Sequence, residues 1–343
     1  MNQWQFNLTP PRVVIDDERR RWIAENIILG SSAADLVQVL VKEGIAQPMA
    51  VAEVDAAVRS PYIRGADRLK QRLEKRDWVL DIQRKLNRLR PPVVERRAKL
   101  TSEEFLTEFY SVNRPVIITG MINHWPALEK WNLDYFRQHF GEREVEVQFG
   151  RNADADYELN SIAHKRKMKF SEYVDLVDRS GRTNDFYMTA NNDSLNREAL
   201  IELWDDVVPM PEYLNVTPDN RGFFWFGPAG TVTPFHHDLT NNFMAQVIGR
   251  KRLRLIPACE LANMYNQRHC FTPIDGRDID VKRFPAAANA QVLECVLEPG
   301  EILFLPVGYW HFVEGLDISV TMTFTNFRWD NDFYSNYPKN LDF

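Results

Sequence analysis

Residues 233–257 read TPFHHDLTNNFMAQVIGRKRLRLIP, with two adjacent histidines, an aspartate directly after them and a lysine further on. In an extended strand successive side chains alternate between faces, so positions i and i+2 share a side. His236 and Asp238 therefore point one way and His237 the other. Only one of the paired histidines can meet a metal that Asp238 meets. A third donor must come from another strand, and His311 in LPVGYWHFVEG (305–315) is the candidate. Two histidines and one carboxylate leave three positions of an octahedral Fe(II) open, enough for a bidentate 2-oxo acid and dioxygen. His-x-Asp alone is weak, because a core histidine bonded to a backbone carbonyl has the same look.

The second half of the stretch adds weight. Its pattern is that of a hairpin turning at Gly249-Arg250. In the returning strand Lys251, Leu253 and Leu255 share one face, while Arg252 and Arg254 share the other, the expected solvent face. Lys251 then begins the buried face. A buried ammonium is costly unless an anion meets it, and the distal carboxylate of 2-oxoglutarate would be such an anion. The plainer alternative is a lysine at the barrel rim that snorkels to water. The last long strand carries Ile318, Val320, Met322 and Phe324 against Ser319, Thr321, Thr323 and Thr325. That gives one apolar and one hydroxyl face, as either a polar lining around a small anion or a half-exposed strand.

Working outward, RPVIITG, EREVEVQFG, DFYMTA, GFFWFG, AQVLECVLE and EILFLP are further short β-rich runs from about Thr101 onward. With few helices expected after Asp205, they predict a double-sheet barrel of the jelly-roll or cupin type. The first hundred residues read differently. DDERRRWIAENIIL stops near Gly30, Ser32 caps AADLVQVLVKEG, AVAEVDAAV follows, and a long run from Gly65 ends at Pro91-Pro92. The expectation is an α+β chain: a helical region over 1–100 for packing, dimerisation or substrate recognition, then a barrel over 101–343.

Composition narrows the function. At 343 residues and 44 % hydrophobic content the chain can bury a sizeable core. Its net charge of −6 gives no general attraction to nucleic acid or anionic membrane. Charge is uneven, however, with fourteen Lys/Arg against five Asp/Glu between Arg59 and Lys99. That basic segment reads first as a solvated helix for packing or homodimerisation, while nucleic acid stays a disfavoured but open alternative. Three cysteines with no CxxC pair fit a reducing compartment. The N-terminus has no signal pattern and no apolar run reaches a membrane span, so a cytoplasmic protein is the default expectation.

At these residues the sequence resembles the JmjC/cupin-like Fe(II)- and 2-oxoglutarate-dependent oxygenases, nearest to the group around the factor-inhibiting-HIF asparaginyl hydroxylase. The resemblance runs from about Thr101 to Trp329. It rests on NRPVIITGMINHWPALEKW (113–131), KMKFSEYVDLV, GTVTPFHHD, NNFMAQVIGRKRLRLIP and EPGEILFLPVGYWHFVE, in that order. It implies that His236, Asp238 and His311 are iron ligands and that Lys251 pairs with the distal carboxylate of 2-oxoglutarate. It further implies that Thr233 and Tyr187 hydrogen-bond that carboxylate and that Asn242 lies beside the co-substrate. Thr323 stands where the nearest relatives carry asparagine, a shorter group with a single donor. His237 fills the variable position of the motif, as an outward-facing or second-layer residue.

The implied cofactors are Fe(II), 2-oxoglutarate and O2, and the implied reaction is hydroxylation of an unactivated C–H bond. The likeness favours a peptide or protein side chain as substrate. A free amino acid, methylated lysine or tRNA remain alternatives within the same chemistry. A non-catalytic ligand-binding cupin would be expected to show a broken triad or a lost lysine, and neither is seen. A cupin enzyme that needs no 2-oxo acid would be expected to place more histidines at the metal.

Overall fold

The computed structural model describes residues 14–215, 222–266 and 268–338. The first residues, where the missing signal pattern was read, lie mostly outside them. The chain forms two compact units with their boundary between Gln83 and Arg84.

In the first unit, α1 (Asp17–Leu29), α2 (Ala33–Lys42) and α3 (Gln47–Arg59) close on Ile23, Leu36, Leu40, Ile45, Ala50 and Val54. Capping sets their limits. The Asp16 side chain accepts from Arg19 N, Ser32 accepts from Asp35 N, and Gly30 ends α1 at φ +96°. The long α4 (Pro61–Asn87) buries none of its residues.

The second unit begins earlier than the boundary near residue 100 read from the sequence. Its first strand, β1 (Glu95–Ala98), pairs in parallel with β2 (Val116–Thr119) and so already belongs to the barrel. Short helices α5 (Ser102–Phe105), α6 (Ala127–Lys130) and α7 (Leu133–Phe140) follow. Next come β3 (Glu144–Phe149), β4 (Lys165–Lys169), α8 (Phe170–Arg179), β5 (Phe186–Tyr187) and α9 (Asp193–Ala199). The remaining strands are β6 (Phe223–Gly227), β7 (Val232–His237), β8 (Asn242–Ile248), β9 (Lys251–Ile256), β10 (Leu293–Leu297), β11 (Glu301–Leu305), β12 (Trp310–Gly315) and β13 (Ser319–Phe324).

Two sheets make the barrel walls. One has the order β1-β2-β11-β8-β13-β6, the other β10-β9-β12-β7, and a three-stranded sheet β4-β3-β5 lies beside them. Strand alternation decides what each face does. Phe243, Ala245, Val247, Val320, Met322 and Phe324 point out of the larger sheet into a core shared with α7 and α8. Met244, Leu253, Leu255, Leu303, Leu305 and Val313 point inward and fill the barrel beneath the site. On the outer face of the smaller sheet, Phe235, Trp310 and Phe312 are covered by the segment between β9 and β10.

The expected hairpin at Gly249-Arg250 is not one. β8 pairs with β11 and β13, β9 pairs with β10 and β12, and the turn carries the chain across from one sheet to the other. Gly249 takes φ +65°, and a Cβ there would meet Ile318 O at 2.1 Å, so only glycine fits the corner. Two apolar-rich strands joined by a glycine turn look alike whether they pair or part. The local pattern therefore did not distinguish the two.

Candidate metal centre

Strand β12 lies between β9 and β7, and the site is built where those strands meet. His311 on β12 and His236 on β7 are direct cross-strand partners. Their rings sit 4.0 Å apart, and Asp238 follows at the end of β7. Ligand atoms of the three all lie within 4.8 Å of one another.

Thr233 is three residues before His236, and strict alternation would put the two on opposite faces. A register shift in the β7–β12 ladder, from His311↔His236 to Val313↔Thr233, brings both inward. Pro234 sits in that bulge, on the edge strand of its sheet, where its missing N–H costs no ladder bond.

Hydrogen bonding sets the tautomers. His236 Nδ1 faces the carbonyl of Pro234 at 2.9 Å, and His311 Nδ1 faces that of Tyr309 at 3.0 Å. A carbonyl only accepts, so each Nδ1 carries the proton and each Nε2 turns toward the carboxylate. His236 Nε2 stands 3.6 Å from Asp238 Oδ1, and His311 Nε2 stands 3.9 Å from Oδ2. Those separations are too long for hydrogen bonds. Burial, with help from neighbouring His236, pushes His311 down to about 4, so it is a neutral electron donor at neutral pH. Burial would raise Asp238, yet His311 and His236 beside it hold its carboxyl far below the usual range. Asn242 Nδ2 donates to Asp238 Oδ2 at 3.3 Å, while its own Oδ1 is buried without a partner. Donors facing one another across a gap are the arrangement a divalent cation satisfies.

Lys251 is 2 % exposed, and its ammonium reaches the Tyr187 hydroxyl at 3.0 Å. No carboxylate lies within ion-pairing distance of it among the described residues. Burial alone lowers its pKa to about 7, and burial, opposed by Arg151 and aided by Glu158, pushes the Tyr187 phenol well up. The outer-face arginines are half-buried rather than freely solvated: Arg252 pairs with Glu314 at 2.8 Å and Arg254 with Glu294 at 2.9 Å.

All eight residues named from the sequence line one cavity of about 420 Å³: Tyr187, Thr233, His236, Asp238, Asn242, Lys251, His311 and Thr323. Thr323 Oγ1 accepts from the Trp225 indole at 3.0 Å. His237 points away and packs edge-on against Trp310 at 4.8 Å.

The sequence named only part of the lining; among the rest, Trp225, Phe271 and Glu158 bear most on the site. Trp225 was findable, since alternation in GFFWFG puts it inward. Phe271, stacked 5.7 Å from the His236 ring, and Glu158 come from irregular segments without periodicity. Glu158 is held by Arg151, a fully buried guanidinium 2.7 Å away that also stacks 5.2 Å from the Tyr187 ring.

The cupin-like domain family matches residues 101–334. The chain belongs to that family. Among its relatives, Lysine-specific demethylase JMJ30 of Arabidopsis thaliana is 34 % identical over 71 % of this chain and 56 % of its own. Lysine-specific demethylase 8 of Xenopus tropicalis is 32 % identical over 65 % of this chain and 50 % of its own. The human bifunctional peptidase and (3S)-lysyl hydroxylase JMJD7 is 27 % identical over 69 % of this chain and 84 % of its own. The chain spans about half the length of the two demethylase relatives. These matches establish the family, but they do not establish a nearer kinship to the asparaginyl hydroxylase group.

Proposed function

We propose that this chain is an Fe(II)- and 2-oxoglutarate-dependent oxygenase that hydroxylates a C–H bond on a peptide or protein side chain. The observation that carries the reading is a single cavity holding three convergent electron donors and, beside them, a buried ammonium with no carboxylate of its own among the described residues. The donor set of two imidazoles and one carboxylate suits Fe(II), with His236, Asp238 and His311 as ligands. The unbalanced ammonium suits the distal carboxylate of a 2-oxo diacid.

Bound there, iron and 2-oxoglutarate would supply the oxidising power: one oxygen atom of O2 enters succinate as CO2 leaves, and the other enters the substrate C–H bond. The protein orients and shields. Lys251, with Tyr187 and Thr233, would anchor the distal carboxylate and so fix where the keto acid end lies. Asn242 holds one oxygen of Asp238 and leaves the other for the metal. Met244, Leu305 and Val313 make an apolar floor that excludes water. Thr323, held by the Trp225 indole, completes the wall where the nearest resemblance has asparagine.

Oxidation of an N-methyl group is the same step at a different carbon and would release formaldehyde, so demethylation is the second product to seek. That reading is favoured by the names of two relatives. We place the protein in a reducing compartment, the cytoplasm by default, because its three cysteines are all free. No helix of the described residues is long and apolar enough to cross a membrane. The N-terminal helices are our candidate for self-association, because α4 exposes Tyr62, Leu69 and Leu73 at helical spacing.

The test is anaerobic titration with Fe(II), with and without 2-oxoglutarate. The visible charge-transfer band of the chelate should need both, and succinate should form once air is admitted. Mass spectrometry of peptides incubated with the complete system should then show the gain of one oxygen atom. Well-folded protein giving neither band nor succinate refutes the assignment.

A further inference from the structure

A second cavity, of about 500 Å³, lies beside the metal cavity. The two share Glu158 and Phe271, and β7 divides them: Thr233, His236 and Asp238 line one side, Val232 and Pro234 the other. Nothing in the reading of the metal site uses this space.

Its walls are firm. Gly276 lies so close to Phe312 that an added Cβ would stand 2.3 Å from the ring. Arg254 donates to the carbonyls of Gly276 and Arg277 at 2.9 and 3.2 Å, which fixes that loop from behind. Thr272 N bonds Phe235 O, and His237 N bonds Cys270 O, so the wall is stitched along the open edge of β7.

The lining carries three carboxylates, Asp156, Glu158 and Asp275, and three guanidinium groups, Arg268, Arg277 and Arg283, and the buried Arg151 paired with Glu158 tips this balance to positive. Glu158 is taken up by Arg151 at 2.7 Å, and Asp156 meets Arg268 at 3.4 Å. Asp275 is exposed and accepts the Arg277 backbone N–H at 2.8 Å. Against that one carboxylate stand the guanidinium groups of Arg277 and Arg283. Both are exposed, and neither has a carboxylate within ion-pairing distance among the described residues. The base between them is apolar, formed by Val232, Pro234, Ile274 and Phe312. A cationic rim over an apolar base, one shared wall from the metal, matches an acidic side chain on an otherwise uncharged stretch of peptide.

We propose that this cavity is a substrate subsite that takes an Asp or Glu next to the oxidised residue, with Arg277 and Arg283 as its recognition groups. The proposal rests on the oxygenase reading of the neighbouring cavity and gives that reading a substrate class, an acidic peptide.

The experiment uses the full chain and two fluorescent peptide pools with every residue represented at the centre. One pool has Asp and Glu fixed on both flanks, the other Asn and Gln. Anisotropy at low salt should show the acidic pool binding about fivefold to tenfold tighter, the range of two exposed charge pairs. The preference should fade as salt rises and vanish in the Arg277→Gln, Arg283→Gln double variant. Both residues are exposed, and peptide-free succinate release should be unchanged in that variant. Equal binding of the two pools, or a preference that survives the double substitution, overturns the subsite. So does total tRNA binding more tightly than the acidic pool through the same arginines. Absence of succinate release from wild-type protein would instead refute the oxygenase reading, which the binding comparison does not depend on.

Discussion

Replacing Lys251 by methionine should make the metal-free protein more stable and its co-substrate binding much weaker. An ordinary lysine titrates near 10.4, and burial brings this one to about 7. Below pH 7 the group is charged in both folded and unfolded chains, so the folded state bears the whole desolvation cost, about 4–5 kcal/mol. Between pH 7 and 10 the folded protein sheds the proton while the unfolded chain keeps it, and the cost shrinks as pH rises. By pH 9 about 2 kcal/mol remains. Methionine fills the space of the stem but strands the Tyr187 hydroxyl, at about 1–3 kcal/mol. The net expectation is a gain of about 2 kcal/mol at pH 6 and almost nothing at pH 9. Urea unfolding of both proteins at the two pH values measures it. In the same variant, loss of one member of a buried ion pair should weaken 2-oxoglutarate by at least about 30-fold, read from the midpoint of the charge-transfer band. A variant less stable than wild type at pH 6, with a difference that ignores pH, would show that the ammonium is not desolvated. An unchanged midpoint would show that it does not meet the co-substrate.

The same ammonium predicts a pH profile: wild-type affinity for 2-oxoglutarate should fall about fivefold between pH 7 and 8, as the free protein loses the proton that binding requires. Lys251→Arg should flatten that fall, because guanidinium stays charged. Asp238→Ala should abolish the Fe(II)-dependent band, and Asn242→Ala should weaken Fe(II) about 10- to 100-fold by releasing the carboxylate it holds, both checked by anaerobic titration. Trp225→Phe removes the donor to Thr323 and should cost about 1 kcal/mol, near fivefold in the affinity for 2-oxoglutarate. Leu69→Glu with Leu73→Glu should leave succinate release intact and lower the mass seen by light scattering if α4 joins two copies.

Period-two alternation was enough to bring His236 and Asp238 to one side and to make Lys251 a buried cation, because both inferences need only a strand with one face inward. It was enough for Thr323 as well, which lines the cavity together with Thr325, although Ser319 and Thr321 on the same face do not. Alternation fails where the ladder is irregular. Thr233 reaches the site only through the shift at Pro234, and a proline in an edge strand was the available signal. Partner choice between strands was illegible for a different reason. The turn at Gly249 is compatible with a hairpin or a corner, and what decides is the closure of Gly249 onto Ile318, far along the chain. The Arg151–Glu158 pair is hidden for the same cause, as both residues sit in irregular segments whose neighbours are set by tertiary contacts.

What was legible shares one property: each piece carries a polar group that alternation forces into an apolar interior, where it must find a partner. Among the described residues the chain supplies too few partners. Two imidazole lone pairs and a carboxylate face one another, and a lysine faces a phenol. Those two deficits have opposite sign and lie in one cavity, so a cation and a diacid bound together would cancel both.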